Sequence, residues 1–599
     1  MRKLGVEGGN LPTKKDKTVT PANFLIAGCI GIFERQYKRA FTCNDMEEFK
    51  EIFGNHVNPS WYGYDVVQSF FSNVASSPAK MIIKSHVGFD GTDFDGVSAF
   101  KDVNDTNNPC LKIQDGYEEE ECFGSSGNRT GYTIENGIRF DTLCAEAGTS
   151  ASTSVEVDSV ADVKIGDIIK MVATGGGGAT VYKEVTNVDE INNTIHWSGT
   201  FHGTANLEID DEIGVLGFMI KLYRKNLRGV IKQVEEDLTN TWLTMSSEVK
   251  DYYVGDVFKQ SKVVKVTDLA SASTLNELFP LDTVGIVFLE TGTEGTNPTI
   301  ASHFTPDLQA FNILPVRMLA NAESVNEAVN KAGETYCKSR WDEPKWIANL
   351  PEDQNKSQLI KIGHRYQRSD DVMQINVANW LKVSDSFSNA ESSPDRHVPN
   401  IGFVMGAWCR SIHNLGIHFI PAVYDIPLFG CNGVVGNTFE DNQDRTDLAM
   451  AGMNVIQHVT GAGILIRNFF TPSTTLEFSF GNGILMRSFI KVSGVDSLKD
   501  TENEPNSFNR IQNSGDAMHT FMFNLFRRGS TGHVMEGETF GVSRTDEGIM
   551  QTFDDVVQVK FDEVANPLAK VKAGERNINI WFHFPSPAGS IRINTGFLF

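Results

Sequence analysis

The stretch from 284 to about 425 constrains the fold most, because strand and helix patterns alternate through it. "VGIVFLE" (284–290) is a short apolar run of the kind that fills a central position in a covered sheet. Ser324 and Glu327 have capping-box spacing ahead of a helical pattern that places Val325, Ala328, Val329, Ala332 and Tyr336 on one face. "KWIANL" (345–350) then reads as another strand. Strands separated by helices pair in parallel through crossovers, so this stretch predicts an α/β unit with a mostly parallel sheet.

The beginning of the chain fits the same unit. The apolar run "FLIAGCIGIF" (24–33) follows Lys14, Lys15 and Lys17, as in a signal peptide, but Glu34-Arg35-Gln36 stands where a cleavage site would be. The run is also too short to span a bilayer, which takes about 20 residues. A buried strand is the expectation. Asn44 or Asp45 caps a helix with a Met46, Phe49, Phe53 stripe that Gly54 ends, and Val66, Val67, Phe70, Phe71 and Val74 mark a second helix. "KMIIKSHV" reads as the next strand. Residues 1–22, with two prolines and a lysine cluster, predict an extended arm without a core of its own.

Two other regions have their own periodicity. Residues 101–150 are polar. From 151 to 214 short alternating runs, "SVEVDSV", "KIGDIIKMVA", "TVYKEVTNVD" and "NTIHWSG", are separated by turns, which predicts an inserted antiparallel barrel or sandwich. "FMIKLYR" and "KVVKVTDL" are read as strands of the main unit after the insertion. Near the C-terminus, Met518, Phe521, Met522, Leu525 and Phe526 form an amphipathic stripe on a helix over 514–528, with Arg527 and Arg528 in its last turn and Gly529 after it. Strands "VVQVKF", "NINIWFHF" and "SIRIN" follow, and the chain stops on Gly-Phe-Leu-Phe.

Composition excludes some functions. The 599 residues hold 53 Lys and Arg against 76 Asp and Glu, a net charge of −23 that phosphate backbones repel, so no direct nucleic-acid contact is expected. The eight cysteines contain no C-x-x-C pair and read as reduced, packed thiols of a cytosolic protein. Cys110, Cys122 and Cys144 are the one set offering metal ligands, and packing is the preferred reading. His413 and His418 lack the acid of a zincin pattern. Gly175 to Gly178 lead into a strand, not a helix, so they form a hairpin tip instead of a phosphate cradle. "GSSGN" (124–128) lacks the order of a nucleophile elbow. Asp370-Asp371 and Glu118 to Glu121 read as solvated surface. No catalytic residue, cofactor or metal is predicted.

Four stretches, in order, resemble the tail sheath proteins of contractile-tailed bacteriophages. The first is "PANFLIAGCIGIFERQYKRAFTCNDMEEFKEIFGN" with "YGYDVVQSFFSN". The second is "WLKVSDSF" with "VPNIGFVMGAWCRSIHNLGIHFIPA", carrying Gly406, Arg410, Pro421 and Ala422. The third is "AGMNVIQHVTGAGILIRNFFTPS", with Asn454, Val455, Ile456, Gly461, Gly463 and Ile464. The fourth is the terminal helix, paired strands and "FPSPAGSIRIN". The match covers most of 21–100 and 375–599. It departs in the reduced Pro421-Ala422, in Thr471, and throughout 101–214.

The resemblance implies an α/β and α+β multidomain fold. Its parts are an arm (1–22), a discontinuous central α/β sheath domain (23–100 and 215–450), an inserted peripheral β domain (101–214), a tube-proximal α+β domain (451–588) and a donated-strand arm (589–599). It implies a structural subunit, not an enzyme, that stacks as hexameric rings in a virion tail around a tail tube protein. Baseplate and tail terminator proteins are further partners, assembly takes place in the host cytoplasm, and no membrane is entered. Ile591, Arg592, Ile593, Asn594, Phe597 and Phe599 are the expected inter-subunit contacts, and Arg527 and Arg528 are candidates to face the tube. The alternatives are a sheath of a related injection system or tailocin, a soluble α/β hydrolase with a β insertion, and a capsid or receptor-binding module.

Overall fold

A computed structural model describes residues 18–89, 93–106, 108–270, 274–275, 278–295, 300–385, 395–499, 506–529, 539–540 and 552–583. Its centre is a six-stranded sheet in the order Gln374–Asn376, Lys345–Ala348, Met318–Asn321, Ile26–Gly31, Lys80–Ser85, Ala40–Cys43. Every pairing is parallel except the last. The apolar run at 24–33 thus occupies an interior place, as its lack of polar alternation requires. Both sheet faces are covered. Cys29, Met81, Ile83, Ala320 and Ile347 face one core with helices Gly63–Val74 and Ile401–Asn414. Ile30, Ile82, Leu319 and Trp346 face a second, with helices Glu327–Ser339 and Lys356–Tyr366.

The helix pair on the first face owes its closeness to glycine. A Cβ on Gly402 would lie 2.1 Å from the Val66 carbonyl oxygen, and one on Gly406 would lie 2.6 Å from that of Phe70. Two glycines one turn apart let the backbones touch, which gives a packing reason for Gly406.

Several expectations need correction. "VGIVFLE" is not a central strand: Val287–Phe288 pair antiparallel to Tyr132 and Gly131 at the sheet edge, Glu290 bridges Phe100, and Val284 is fully exposed. The interior places it was expected to fill belong to Ile26–Gly31 and Met318–Asn321. The helix predicted from Ser324 starts at Glu327, capped by Asn326, whose side chain accepts from the Ala328 N–H. Its buried side runs through Val329, Gly333 and Cys337, and Val325 is exposed, because Gly333 seats the Trp346 ring against the helix backbone.

The insertion is larger than its alternating runs suggested. Position 214 falls inside the strand Glu212–Lys225, which pairs along its length with Thr130–Leu143. "FMIKLYR" and "KVVKVTDL" are strands, but of the inserted sheets and not of the main unit. The segment 101–150, polar in sequence, supplies Phe100–Asn104, Pro109–Tyr117 and Thr130–Leu143, with Gln114, Asp115 and Thr130 buried. The ladders do not close into a barrel of continuous strands; the bridge Cys144 to Val157, with the Ala145 and Asp158 N–H groups donating to the Glu156 and Leu143 carbonyls, ties the end of Thr130–Leu143 to the edge strand Ser154–Glu156. Two separate cores result, one around Ile113, Phe218 and Phe258, the other around Ile169, Ile195 and Trp197.

Beyond 451 the core does not break. Helices Gly481–Leu498 and Phe508–Arg528 share the cluster of the central sheet through Ile484, Phe489, Met518 and Phe521. The N-terminal segment also joins it. Val19 is buried, and the Thr20 and Ala22 N–H groups donate to Ser497 and Ser493, each at 2.9 Å, one turn apart on the first of these helices.

Candidate assembly site

The helix Phe508–Arg528 buries Ile511, Ser514, Gly515, Met518, Phe521, Met522, Leu525 and Phe526, the stripe its sequence predicts, extended one turn and a half N-terminally. Against it lies a ribbon of two antiparallel strands, Val557–Lys560 and Asn579–Phe582, in the register Val557 to Phe582 and Lys560 to Asn579. Val557, Val559, Ile580 and Phe582 turn toward the core, while Gln558, Lys560, Asn579 and Trp581 turn outward. Gly515 is required here: a Cβ would sit 2.2 Å from the Phe561 ring. The loop joining the strands is held by Asn566, which donates to the Phe561 and Asn577 carbonyls at 3.0 and 2.8 Å and accepts from the Asn577 N–H.

The ribbon stops at two strands among the described residues, so each strand has an edge without a ladder partner. A two-stranded sheet is marginal alone, and an open edge is a template for another strand. The last described residue, His583, donates its N–H to the Val556 carbonyl at 2.9 Å, which extends the pairing by one residue. Ile591, Arg592, Ile593, Asn594, Phe597 and Phe599 lie outside the described residues, as do 1–17 and "SIRIN". "NINIWFHF" contributes its paired strand to the ribbon with Val557–Lys560. Arg527 and Arg528 are exposed in the last turn before Gly529, whose φ of 64° ends the helix. The Arg527 guanidinium lies 5.9 Å from the Phe523 ring centre.

In open α/β sheets, ligands bind beyond the carboxyl ends of the strands where strand order reverses. Here that point lies between Ile26–Gly31 and Met318–Asn321. Glu323 occupies it. Its carboxylate accepts from the N–H groups of Ile32, Tyr62 and Gly63 at 2.9, 3.1 and 2.8 Å, at the start of helix Gly63–Val74. Burial pushes it up to about 7 against those three bonds. The chain's own side chain therefore fills the crevice. Nearby, Asp307 joins Lys84 at 2.9 Å and His86 at 2.6 Å, all three buried; burial raises Asp307, but the two bases outweigh it and hold it low.

The remaining sequence candidates are dispersed. His413 is exposed, and His418 is buried and pushed down to about 4 by burial. Seven cysteines are buried and Cys431 half-buried, and burial raises the thiols of Cys110, Cys122 and Cys144. Among the described residues no group of three or more His, Cys, Asp and Glu is placed to hold a metal ion, and no helix is long and apolar enough to cross a membrane.

No family profile and no curated protein matches the sequence. Solved structures similar to this chain include contractile sheath and injection-system proteins. A sheath tail protein of Listeria innocua is 10% identical over 94% of this chain and 96% of its own, with a TM-score of 0.48. A chain of the anti-feeding prophage baseplate is 14% identical over 51% of this chain and 77% of its own, with a TM-score of 0.39. A chain of an extracellular contractile injection system, the PVC sheath complex in its contracted state, is 12% identical over 48% and 74%, with a TM-score of 0.39.

Proposed function

We propose that this chain is the structural subunit of a contractile tail sheath, stacking as hexameric rings around a tail tube and driving the tube through an envelope as the rings contract. The observation that carries the reading is the open two-stranded ribbon from which the chain's last segment departs. The segment 589–599 of one copy adds a strand to the ribbon of another. Ladder hydrogen bonds then supply the connection and alternate side chains the register. Phe597 and Phe599 each contribute about 1.5–3 kcal/mol when buried by the neighbour. The N-terminal arm, 1–22, is proposed to tie neighbouring copies together in the same way. The four resembling stretches support the same reading. Arg527 and Arg528 are proposed to face the tube, with baseplate and terminator proteins capping the stack. The insertion decorates the outside of the virion tail, and the main unit, insertion and terminal layer act as its domains.

The test is negative-stain electron microscopy of the full chain beside a 1–588 truncation, each with purified tube protein as template. Striated tubes from the full chain, lost on truncation while the monomer's melting temperature holds, are expected. Tubes that persist without 589–599, or no assembly of the full chain on its tube, refute the reading. Charge reversal of both Arg527 and Arg528 is expected to weaken tube binding without unfolding the domain.

A further inference from the structure

Positive charge is scarce in this chain, yet three arginines gather around one loop. Arg445 lies on helix Asn442–Met450 and gives its guanidinium to neutral acceptors, Gln457 Oε1 at 3.2 Å and Asn442 Oδ1. The acids of its own helix are committed elsewhere: Asp444 and Asp447 both hold Lys356 at 2.6 Å. Arg467 follows the strand Gly463–Ile466, with its guanidinium 5.6 Å from the Tyr424 ring and its Nε buried without a partner. Burial and then the charge of Arg467 both depress Arg445, so the two cations stand close enough to repel. Arg410 is buried beneath the same loop. Its Nη2 donates to the Pro427 carbonyl, and Leu428 hydrogen-bonds Ile464 of the same strand. Tyr424 is 61% exposed. Half-buried arginines beside an exposed tyrosine, with Asp441 as the acid that acts on Arg445, are what an interface for carboxylates contains.

The complementary surface is on the same chain. Residues 101–214 hold seven Lys and Arg and 21 Asp and Glu, so −14 of the net −23 sits in the insertion. At the turn between Pro109–Tyr117 and Glu120–Glu121, Glu118 and Glu119 are exposed with φ of 47° and 70°. Two side-chain-bearing residues in left-handed conformation strain the turn and aim two like charges outward. Glu120 and Glu121 are engaged by Arg39 and Lys265, which leaves the tip pair as the forward charges. The Glu118 N–H donates to Ser261 at 2.8 Å and fixes the tip.

We propose that Arg445 and Arg467, with Tyr424, form a docking surface for Glu118 and Glu119 of a second copy of this chain. The inference rests on the assembly reading above, and its test separates the two. The critical concentration for wild-type assembly on the tube is measured first, at low and high salt. Failure of that step refutes the assembly reading itself. Given assembly, the double variant Arg445→Glu/Arg467→Glu is expected to raise the critical concentration at least about tenfold, and Glu118→Lys/Glu119→Lys to do the same. Combining all four is expected to restore it to within about threefold, as a charge swap between true partners does. Should the glutamate variants fail to fold, Arg445→Gln/Arg467→Gln gives the same loss with less repulsion. Unchanged assembly of either double variant, or no restoration in the combination, overturns the proposal. Loss of tube binding by unassembled subunits also overturns it, by naming the tube as occupant.

Discussion

Met318–Asn321, in the middle of the six-stranded sheet, is buried at every residue, whereas Asn579–Phe582 alternates exposed and half-buried residues and has an open edge. Both are four-residue strands of one chain sharing one apolar cluster with its neighbours. The first is paired on both sides, with its faces sealed by helices. The second is paired on one side and carries Trp581, 52% exposed, on its outer face. Burial on both faces makes a sheet rigid and leaves nothing to recruit. A ribbon with open edges keeps its hydrogen-bonding capacity for another chain. On the proposed assembly, the comparison divides stability and assembly between the two sheets, so changes in one should be nearly silent in the other.

The largest expected effect breaks the closed region. Gly406→Leu forces a side chain into backbone, with a Cβ 2.6 Å from Phe70 O and 2.7 Å from Asn73 Cβ. Neither contact is a flexible side-chain end. We expect a loss of about 3 kcal/mol or more in denaturant unfolding of the monomer, against no change for the 1–588 truncation. Equal losses for the two would erase the distinction.

A second effect is pH. Glu323 is raised to about 7 by burial, so between the unfolded carboxylate value and 7 the folded chain holds the extra proton, and stability falls as pH rises through that window. Lys345 is lowered to about 7, first by burial, and gives its Nζ to Glu343 O at 2.7 Å and Ser488 Oγ at 2.6 Å. Between 7 and the ordinary lysine range the unfolded chain holds the extra proton, so stability rises with pH there. The two together predict a minimum near neutrality, each limb worth on the order of a few kcal/mol and the alkaline one the larger. Glu323→Gln should flatten the acid limb and Lys345→Met the alkaline one in monomer melts across pH 5–10. Variants that leave their own limb intact would remove that assignment.

The sequence makes the closed region legible where burial is complete, because a run such as Phe24–Phe33 has one solution. The helix Phe508–Arg528 is legible for a different reason, the recurrence of its buried stripe at helical spacing. It misleads where polar residues are buried by hydrogen bonding: Gln114, Asp115 and Thr130 hid the strands of 100–143, and an apolar "VGIVFLE" suggested burial that Val284 does not have. The ribbon's open edge was visible only as alternation near the terminus, since an open edge is a relation between strands, not a property of residues. Glu323 left no local signal: its three donors come from positions 32, 62 and 63. Gly402 had a findable one, a glycine one turn before Gly406, read only when helix Gly63–Val74 is seen to cross there.

The smallest effect concerns a charge inside the closed region. Arg410 is 4% exposed, its Nε and Nη1 have no partner, and burial lowers its pKa. Its compensation is the Pro427 carbonyl and the Phe429 ring, 4.4 Å from the guanidinium. A desolvated cation–π contact is worth about 2 kcal/mol, while an ion left without a counter-charge in the interior costs several kcal/mol. The balance favours an apolar side chain of similar length. Arg410→Met is therefore expected to leave monomer stability unchanged or raise it by about 1–2 kcal/mol. A loss beyond about 2 kcal/mol would mean that the ring and the carbonyl outweigh the burial, placing Arg410 among the groups that hold the closed region together. A neutral or stabilising result would show that the buried charge contributes nothing to holding the closed region together.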